Sequence, residues 1–323
     1  FGLKGRAMKC IGPQVAVATY NVYWWCVSNQ FLNCNQFAYG KGFAQLYHKI
    51  QANPVDLIGF QECENVVQVL SGAGLMGRFG YHATPEGNDA PMAWNWARFK
   101  VIEGPASEWI AKDRYTSRWL NWVRLLEYDT GKVIFFANTH GPIGQCTGDP
   151  GDQTAQAYLN AIWRHNTRED IVIFTGDFNC KSWDETLNSL RKSLQDTAWD
   201  TVFQGADHIF TSSGVGLCSH ESVVGAPSDH QLLKASLGTL GGPKPPLPPQ
   251  MPNYTGTNSS FNASGPERHA SLPKPASCPK AGGPCCHQCM HNRFCPGDGG
   301  CYAQGQPGCD TQTCDPVAST LLL

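Results

Sequence analysis

Residues 171–179 read Ile-Val-Ile-Phe-Thr-Gly-Asp-Phe-Asn. The first five are β-branched or aromatic, as in a strand covered on at least one face. The run then breaks into Gly176, Asp177, Phe178 and Asn179, where turn formers coincide with side chains able to hold a proton or a phosphate. The same grammar recurs outward in both directions. Upstream, Val133–Thr139 runs into His140, Asp56–Gln61 into Glu62, and Val15–Trp25 contains Asn21. Downstream, Asp207 opens the run His208–Thr211, and Asp229 and His230 immediately precede Gln231–Leu237. Met92–Ile102 and Trp119–Tyr128 complete the strand-like runs.

Helical patterns fall between them. Phe43, Leu46, Tyr47 and Ile50 share one face, as do Ala155, Tyr158, Leu159 and Ile162. Ser182 with Glu185 has the form of a capping box opening a helix through Leu187, Leu190 and Leu194. Strands alternating with helices predict a layered α/β domain over residues 1–240.

The composition breaks at Gly241. Residues 241–277 are rich in Pro and Gly and predict an extended linker. They carry three Asn-x-Ser/Thr sequons, at Asn253, Asn258 and Asn262, which read as N-glycosylation sites beside the alternative of an unmodified linker. Residues 278–315 hold eight of the chain's 15 cysteines and little that can fill a core, so covalent staples are expected there. Disulfides are the favoured staple. Zinc is the rival, because Cys285, Cys286, His287, Cys289 and His291 are crowded together. Residues 316–323 form a tail whose three final leucines are too few for a lipid-anchor signal.

A cysteine-rich chain with clustered sequons suits an oxidising compartment, so the expected location is secreted or extracellular. The opening at Phe1 fits a mature processed chain or a fragment. The net charge of -2 offers no global basic field for nucleic acid or anionic membrane, and no basic, aromatic-interleaved groove stands out. No apolar run reaches the length of about 18 residues that a membrane-spanning helix needs.

Taken singly, each polar motif also reads as a turn, a cap or a structural histidine. Taken in order, TYN at Asn21, FQE at Glu62, NTH at His140, GDFN at Asp177 and Asn179, ADHIF at Asp207 and SDH at Asp229 and His230 supply what phosphate-ester hydrolysis requires. That is an oxygen-lined seat for a hard cation, a way to activate water, and a proton donor for the leaving group. The ordered set resembles the endonuclease/exonuclease/phosphatase superfamily, to which deoxyribonuclease I-like nucleases, neutral sphingomyelinases and inositol-polyphosphate 5-phosphatases belong. The resemblance covers about residues 13–238.

It implies a four-layered sandwich of two mixed β-sheets flanked by helices, with the cysteine-rich module outside it. It implies Mg²⁺ as cofactor, with Mn²⁺ or Ca²⁺ as alternatives, held by Glu62 with Asn21 and Asp229 nearby. It further implies that His230 is the general base or phosphate-polarising residue, oriented by Asp229. His140 would be the general acid or second histidine, with Asp207 supporting it. Asp177 and Asn179 would position the attacking water and the phosphoryl oxygens. Tyr115 and Arg118, in the segment Arg114–Trp119, are candidates for substrate contact, beside the reading of a plain loop. One departure stands out: many relatives read Arg-x-Asp-Tyr where this chain reads Gly205-Ala206-Asp207-His208.

The function expected is a secreted, metal-dependent phosphodiesterase acting on nucleic acid or a phospholipid head group, with a nuclease favoured. A sphingomyelinase- or phosphoinositide-phosphatase-like hydrolase is the alternative. A matrix or adhesion protein, using the fold as scaffold and the tail to bind an extracellular ligand, is the non-enzymatic one.

Overall fold

The computed structural model describes residues 10, 13–28, 41–84 and 90–238, together with the backbone of 292–294 and 301–303. The chain divides into two units, Phe1–Pro248 and Pro249–Leu323. The sequons and the cysteine-rich segment's side chains lie outside the described residues; of the second unit, Asn292–Phe294 pairs antiparallel with Cys301–Ala303.

In chain order the first unit runs β1 (Gln14–Asn21), α1 (Trp24–Val27), α2 (Gly42–Ala52), β2 (Leu57–Gln61), α3 (Val66–Gly72), β3 (Phe79–His82) and β4 (Met92–Asn95). It continues with β5 (Phe99–Lys112), β6 (Ser117–Glu127), β7 (Val133–His140), α4 (Gly148–His165), β8 (Ile171–Asp177) and α5 (Glu185–Arg191). β9 (Gln195–Trp199), a 3-10 turn (Val202–Gln204), β10 (Asp207–Thr211), β11 (Gly216–Val223) and β12 (Leu232–Gly238) complete it.

The strands form two six-stranded sheets, ordered β11-β12-β1-β2-β4-β3 and β5-β6-β7-β8-β10-β9. Each is mixed: β1 runs parallel to β2 and antiparallel to β12, and β7 runs parallel to β8 while β8 and β10 are antiparallel. Period-two alternation decides the layering. Ile134, Phe136 and Ile173 join Val15, Val17, Leu57, Leu233 and Ala235 in a core between the sheets. Their neighbours Phe135, Val172 and Phe174 face the other way, onto Tyr158, Leu159 and Ile162 of α4 and Leu187 and Leu190 of α5. On the opposite side Ile58 and Phe60 meet Leu46 and Ile50 of α2 and Val66, Val69 and Leu70 of α3. The result is helix, sheet, sheet, helix, as expected, each buried Leu, Ile or Phe contributing about 2 kcal/mol.

Several element boundaries differ from the sequence reading. The run from Val15 stops at Asn21, because Tyr23 turns left-handed with φ 50° and Trp24 starts a short helix. Met92–Ile102 is two strands in two sheets. The Asn95 side chain accepts from the Ala97 N–H at the break, and the chain crosses from the first sheet to the second. Tyr47 points to solvent, and the α2 face is completed by Lys49 instead. The N-cap of α5 is Asp184, not Ser182. Its carboxylate reaches back to the Lys181 N–H at 2.9 Å.

Disulfides join Cys10 to Cys218 and Cys146 to Cys180. No helix among the described residues is long and apolar enough to cross a membrane.

Candidate active site

The parallel pairs bring their C-terminal ends to one rim. Asn21 lies in register with Gln61, the residue before Glu62, and His140 with Asp177. The antiparallel β10 sets Asp207 opposite Asp177 at that same rim. A cavity of about 510 Å³ there is lined by Glu62, Asp177, Asn179, Phe203, Asp229 and His230 among others, with Asn21 and His140 buried against Asp177 and Asp207 buried against His230.

Asp177 is the hub. Its Oδ2 accepts from Asn21 Nδ2 at 3.0 Å and lies 3.7 Å from His140 Nε2 and 3.6 Å from His230 Nε2. Its Oδ1 accepts from the Asn179 N–H at 2.8 Å. Burial pushes this carboxyl toward its neutral form, but the imidazoles of His230 and His140 outweigh that and hold its pKa below the usual range. Asn179 takes a left-handed conformation, φ 54°, which asparagine tolerates. Its amide donates to the Gly141 carbonyl at 2.9 Å, tying the loop after β8 to the loop after β7.

His230 is oriented by Asp207, not by Asp229. Its Nδ1 lies 2.8 Å from Asp207 Oδ2, which leaves Nε2 facing Asp177 and the cavity. The expected support of His140 by Asp207 is corrected in the same observation, since Asp207 Oδ2 is engaged with His230. Asp229 is exposed on the cavity wall, and its charge reaches His230 only as a lesser influence. Burial opposes a charged imidazole, yet Asp207, with Asp177 and Asp229 behind it, raises the His230 pKa to about 10. Behind Asp207 sits Asp200, whose backbone N–H bonds to the Asp207 carbonyl at 3.3 Å. Burial and the Asp207 charge raise the Asp200 pKa to about 8. Asp200 is the protonated member, because Asp207 has the imidazole to balance its charge.

Glu62 follows β2 with φ 45° and is half-buried on the cavity wall, where burial raises its pKa. Asn21 turns its amide nitrogen toward Asp177, while its oxygen accepts from the Tyr23 N–H at 3.0 Å. Its place here is that of a donor bracing the carboxylates. Ser228 Oγ donates to the Asn21 carbonyl at 2.7 Å and accepts from the His230 N–H at 3.1 Å, joining the first and last motifs.

Tyr115 and Arg118 stand apart from the cavity. Arg118 is 4% exposed, with Nε 2.9 Å from Asp113 Oδ2, and Tyr115 is 64% exposed under the Arg114 guanidinium. Asp113 pins this loop by accepting the Tyr115, Thr116 and Ile143 N–H groups.

Sequence reasoning missed the polar joint beneath the site. Gln61 Nε2 donates to Asn138 Oδ1 at 2.8 Å and to Thr19 Oγ1 at 3.0 Å, and Thr175 Oγ1 donates to Asn138 Oδ1 at 2.9 Å. Asn138 Nδ2 in turn donates to Phe60, Ala90 and Pro91 carbonyls. Gln61 and Asn138 are the middle and first letters of the FQE and NTH motifs, so the signal was present but read only at the charged letter. The missing tyrosine of the Arg-x-Asp-Tyr pattern is also answered. His208 is buried, with Nδ1 3.0 Å from Asp196 and Nε2 2.9 Å from the Gly205 carbonyl.

The family model described as Endonuclease/Exonuclease/phosphatase family matches residues 31–230. The chain belongs to this family. Endonuclease/exonuclease/phosphatase enzymes are phosphoric ester hydrolases, typically dependent on a divalent metal. Among solved structures, the chain is similar to an endonuclease/exonuclease/phosphatase family protein from Bacteroides thetaiotaomicron at 19% identity and a TM-score of 0.55, covering 70% of this chain and 98% of that one. A mannosyl-6-phosphatase from the same species shows 20% identity and a TM-score of 0.54 over 69% of this chain and 99% of its own. D. rerio TDP2 complexed with single strand DNA product shows 17% identity and a TM-score of 0.54 over 71% and 100%. At these identities the likeness establishes the fold. No curated protein matches the sequence.

The donor set fits the divalent ion of such enzymes. Glu62, Asp177 and Asp229 place three carboxylates on one small cavity whose lining, among the described residues, holds a single Lys or Arg, Lys181. Carboxylate oxygens suit a hard cation. Asp177, Asp207 and His230 also bring ligand-type atoms within 4.8 Å of one another. The 2.8 Å bond between Asp207 and His230, however, already commits Oδ2 and Nδ1 to each other.

Proposed function

We propose that this chain is an extracellular, Mg²⁺-dependent phosphodiesterase, with nucleic acid as its favoured substrate class. The observation that carries the reading is the convergence of Glu62, Asp177, Asp229 and the Asp207-oriented His230 on one open cavity. Glu62 and Asp229 would hold the metal, which when bound supplies charge to polarise the phosphoryl oxygens. Asp177, kept ionised by two imidazoles, takes the proton of the attacking water, and Asn179 fixes that carboxylate by its N–H. A raised pKa favours the charged form of His230, which suits it to stabilise the phosphorane rather than to act as a base. His140 protonates the leaving oxygen as its bond to phosphorus breaks and the bond from water forms. No covalent enzyme intermediate is needed.

An extracellular setting is supported by the disulfides Cys10–Cys218 and Cys146–Cys180. N-glycans on Asn253, Asn258 and Asn262, a disulfide-stapled tail and an extracellular ligand for it belong to the same proposal. The test is hydrolysis by the full chain of single-stranded DNA, RNA, sphingomyelin and phosphoinositides, with Mg²⁺ and with EDTA. Cleavage of nucleic acid that EDTA abolishes supports the reading. Cleavage confined to a lipid substrate transfers it to that class, and inertness on all four with Mg²⁺ overturns it.

A further inference from the structure

One wall of the cavity is aromatic and outward-facing, and the catalytic roles above leave it unused. Phe203 lines the cavity with its ring centroid 4.6 Å from that of His230 at 38°, yet it remains 55% exposed. It holds φ 48°, a region that bulky residues avoid, and Gln204 and Gly205 follow it at φ 66° and 86°.

The surroundings fix this pose. Asp200 Oδ1 accepts the Val202 N–H, the Gln204 carbonyl accepts the Ser182 N–H, and the Gly205 carbonyl is bonded by His208 Nε2. A strained backbone held by its neighbours around a ring left more than half exposed marks a built feature, since so partial a burial does little to offset the strain. Beside it on the same lining is Lys181, the sole Lys or Arg there among the described residues, and Lys181 Nζ lies 5.8 Å from the exposed Trp183 ring.

We propose that Phe203 is a stacking platform for a nucleobase carried by the phosphodiester bound at His230, with Lys181 meeting the adjoining phosphate of a single strand. The inference rests on the phosphodiesterase reading and deepens it by naming what selects the substrate. A planar ring next to the scissile phosphate gains from an exposed phenyl face regardless of base identity. A choline head group would meet the same ring through its cation instead, so base-dependent binding, and not the ring alone, identifies the occupant. The position of Phe203 at the cavity mouth, in contact with His230, places that gain within one nucleotide of the reacting bond.

The experiment compares hexathymidylate with an abasic strand of the same length, on wild type, Phe203→Ala, Phe203→Trp and Lys181→Ala of the full chain. Phe203→Ala is expected to raise KM on hexathymidylate roughly tenfold, the scale of one lost base stack, with kcat little changed. It should leave KM on the abasic strand unaltered, and Phe203→Trp should restore the preference. Lys181→Ala should weaken both strands alike. If Phe203→Ala changes neither KM, or lowers kcat equally on both strands, the ring merely covers His230 and the proposal falls.

Should wild type cleave neither strand, fluorescence anisotropy with the same labelled strands separates the two readings. Base-dependent binding that Phe203→Ala removes upholds the platform while the hydrolase reading fails. Binding without base preference, or none at all, overturns the platform.

Discussion

Asp207 shows how one residue changes meaning once its neighbours are known. In the sequence it is the acid of a motif that departs from the family pattern, and the family resemblance assigns it to His140. In space it belongs to His230, 23 residues on, because the antiparallel entry of β10 sets it beside the loop that precedes β12. Its other oxygen, Oδ1, is buried against Asp200. Replacing Asp207 by Asn keeps the shape but removes the charge that fixes the imidazole. We expect kcat on a phosphodiester to fall by about 100-fold or more with KM little altered. Asp200→Asn, which substitutes a permanently neutral group for the protonated acid, is expected to leave kcat largely unchanged. Steady-state kinetics of both variants check the pair, and equal losses would refute the assignment of the proton to Asp200.

At the scale of elements, the strand and helix types were legible because periodicity is written in side chains that must choose a face. Phe135 and Phe136 are adjacent and equally apolar, yet they serve different cores, and only the alternation of the whole run tells them apart. Boundaries and sheet membership were not legible. The run from Met92 has unbroken strand character, and its division between two sheets rests on one Asn95 turn. The inter-sheet polar joint was equally hidden, since Gln61, Asn138 and Thr175 are distant in sequence.

Gly59 makes that joint possible. A Cβ there would lie 2.1 Å from Asn138 Oδ1 and 2.3 Å from Thr175 Oγ1. Gly59→Ala is expected to destabilise the fold by about 3 kcal/mol, by overpacking and by breaking a buried polar network. Urea unfolding measures this directly, and a loss under about 0.5 kcal/mol, the range of an ordinary surface substitution, would contradict it.

A second element-scale consequence concerns α2. Lys49 is buried and donates to the Val223 carbonyl at 3.2 Å and to the Gly225 carbonyl, tying the helix to the loop before the Ser228–His230 motif. Burial lowers its pKa from 10.5 to about 8. Between those values the unfolded chain binds more protons than the folded one, so this residue adds stability as pH rises from 8 to 10.5. The stability of wild type relative to Lys49→Met should therefore grow across that window. Paired urea titrations at pH 7.5 and 10.5 test it, and a constant difference would contradict it.

For the whole molecule, the four layers and the site form one statement. Two mixed sheets pack so that the open ends of β1, β2, β7 and β8 and the entries to β10 and β12 share a rim. The six motifs from TYN to SDH sit at such ends. The core was legible in apolar periodicity and the site in the order of its motifs. What could not be read was which acid serves which histidine, and that Tyr115 and Arg118 lie outside the cavity lining, on a loop held by Asp113.

The most direct measurement is the metal-dependent turnover of bis-p-nitrophenyl phosphate by wild type, Glu62→Ala and His230→Ala at saturating Mg²⁺. The convergent site predicts turnover by wild type and a loss of about 1,000-fold in kcat for each variant, both remaining folded by circular dichroism at the assay temperature. Folded variants that turn over as fast as wild type would contradict it.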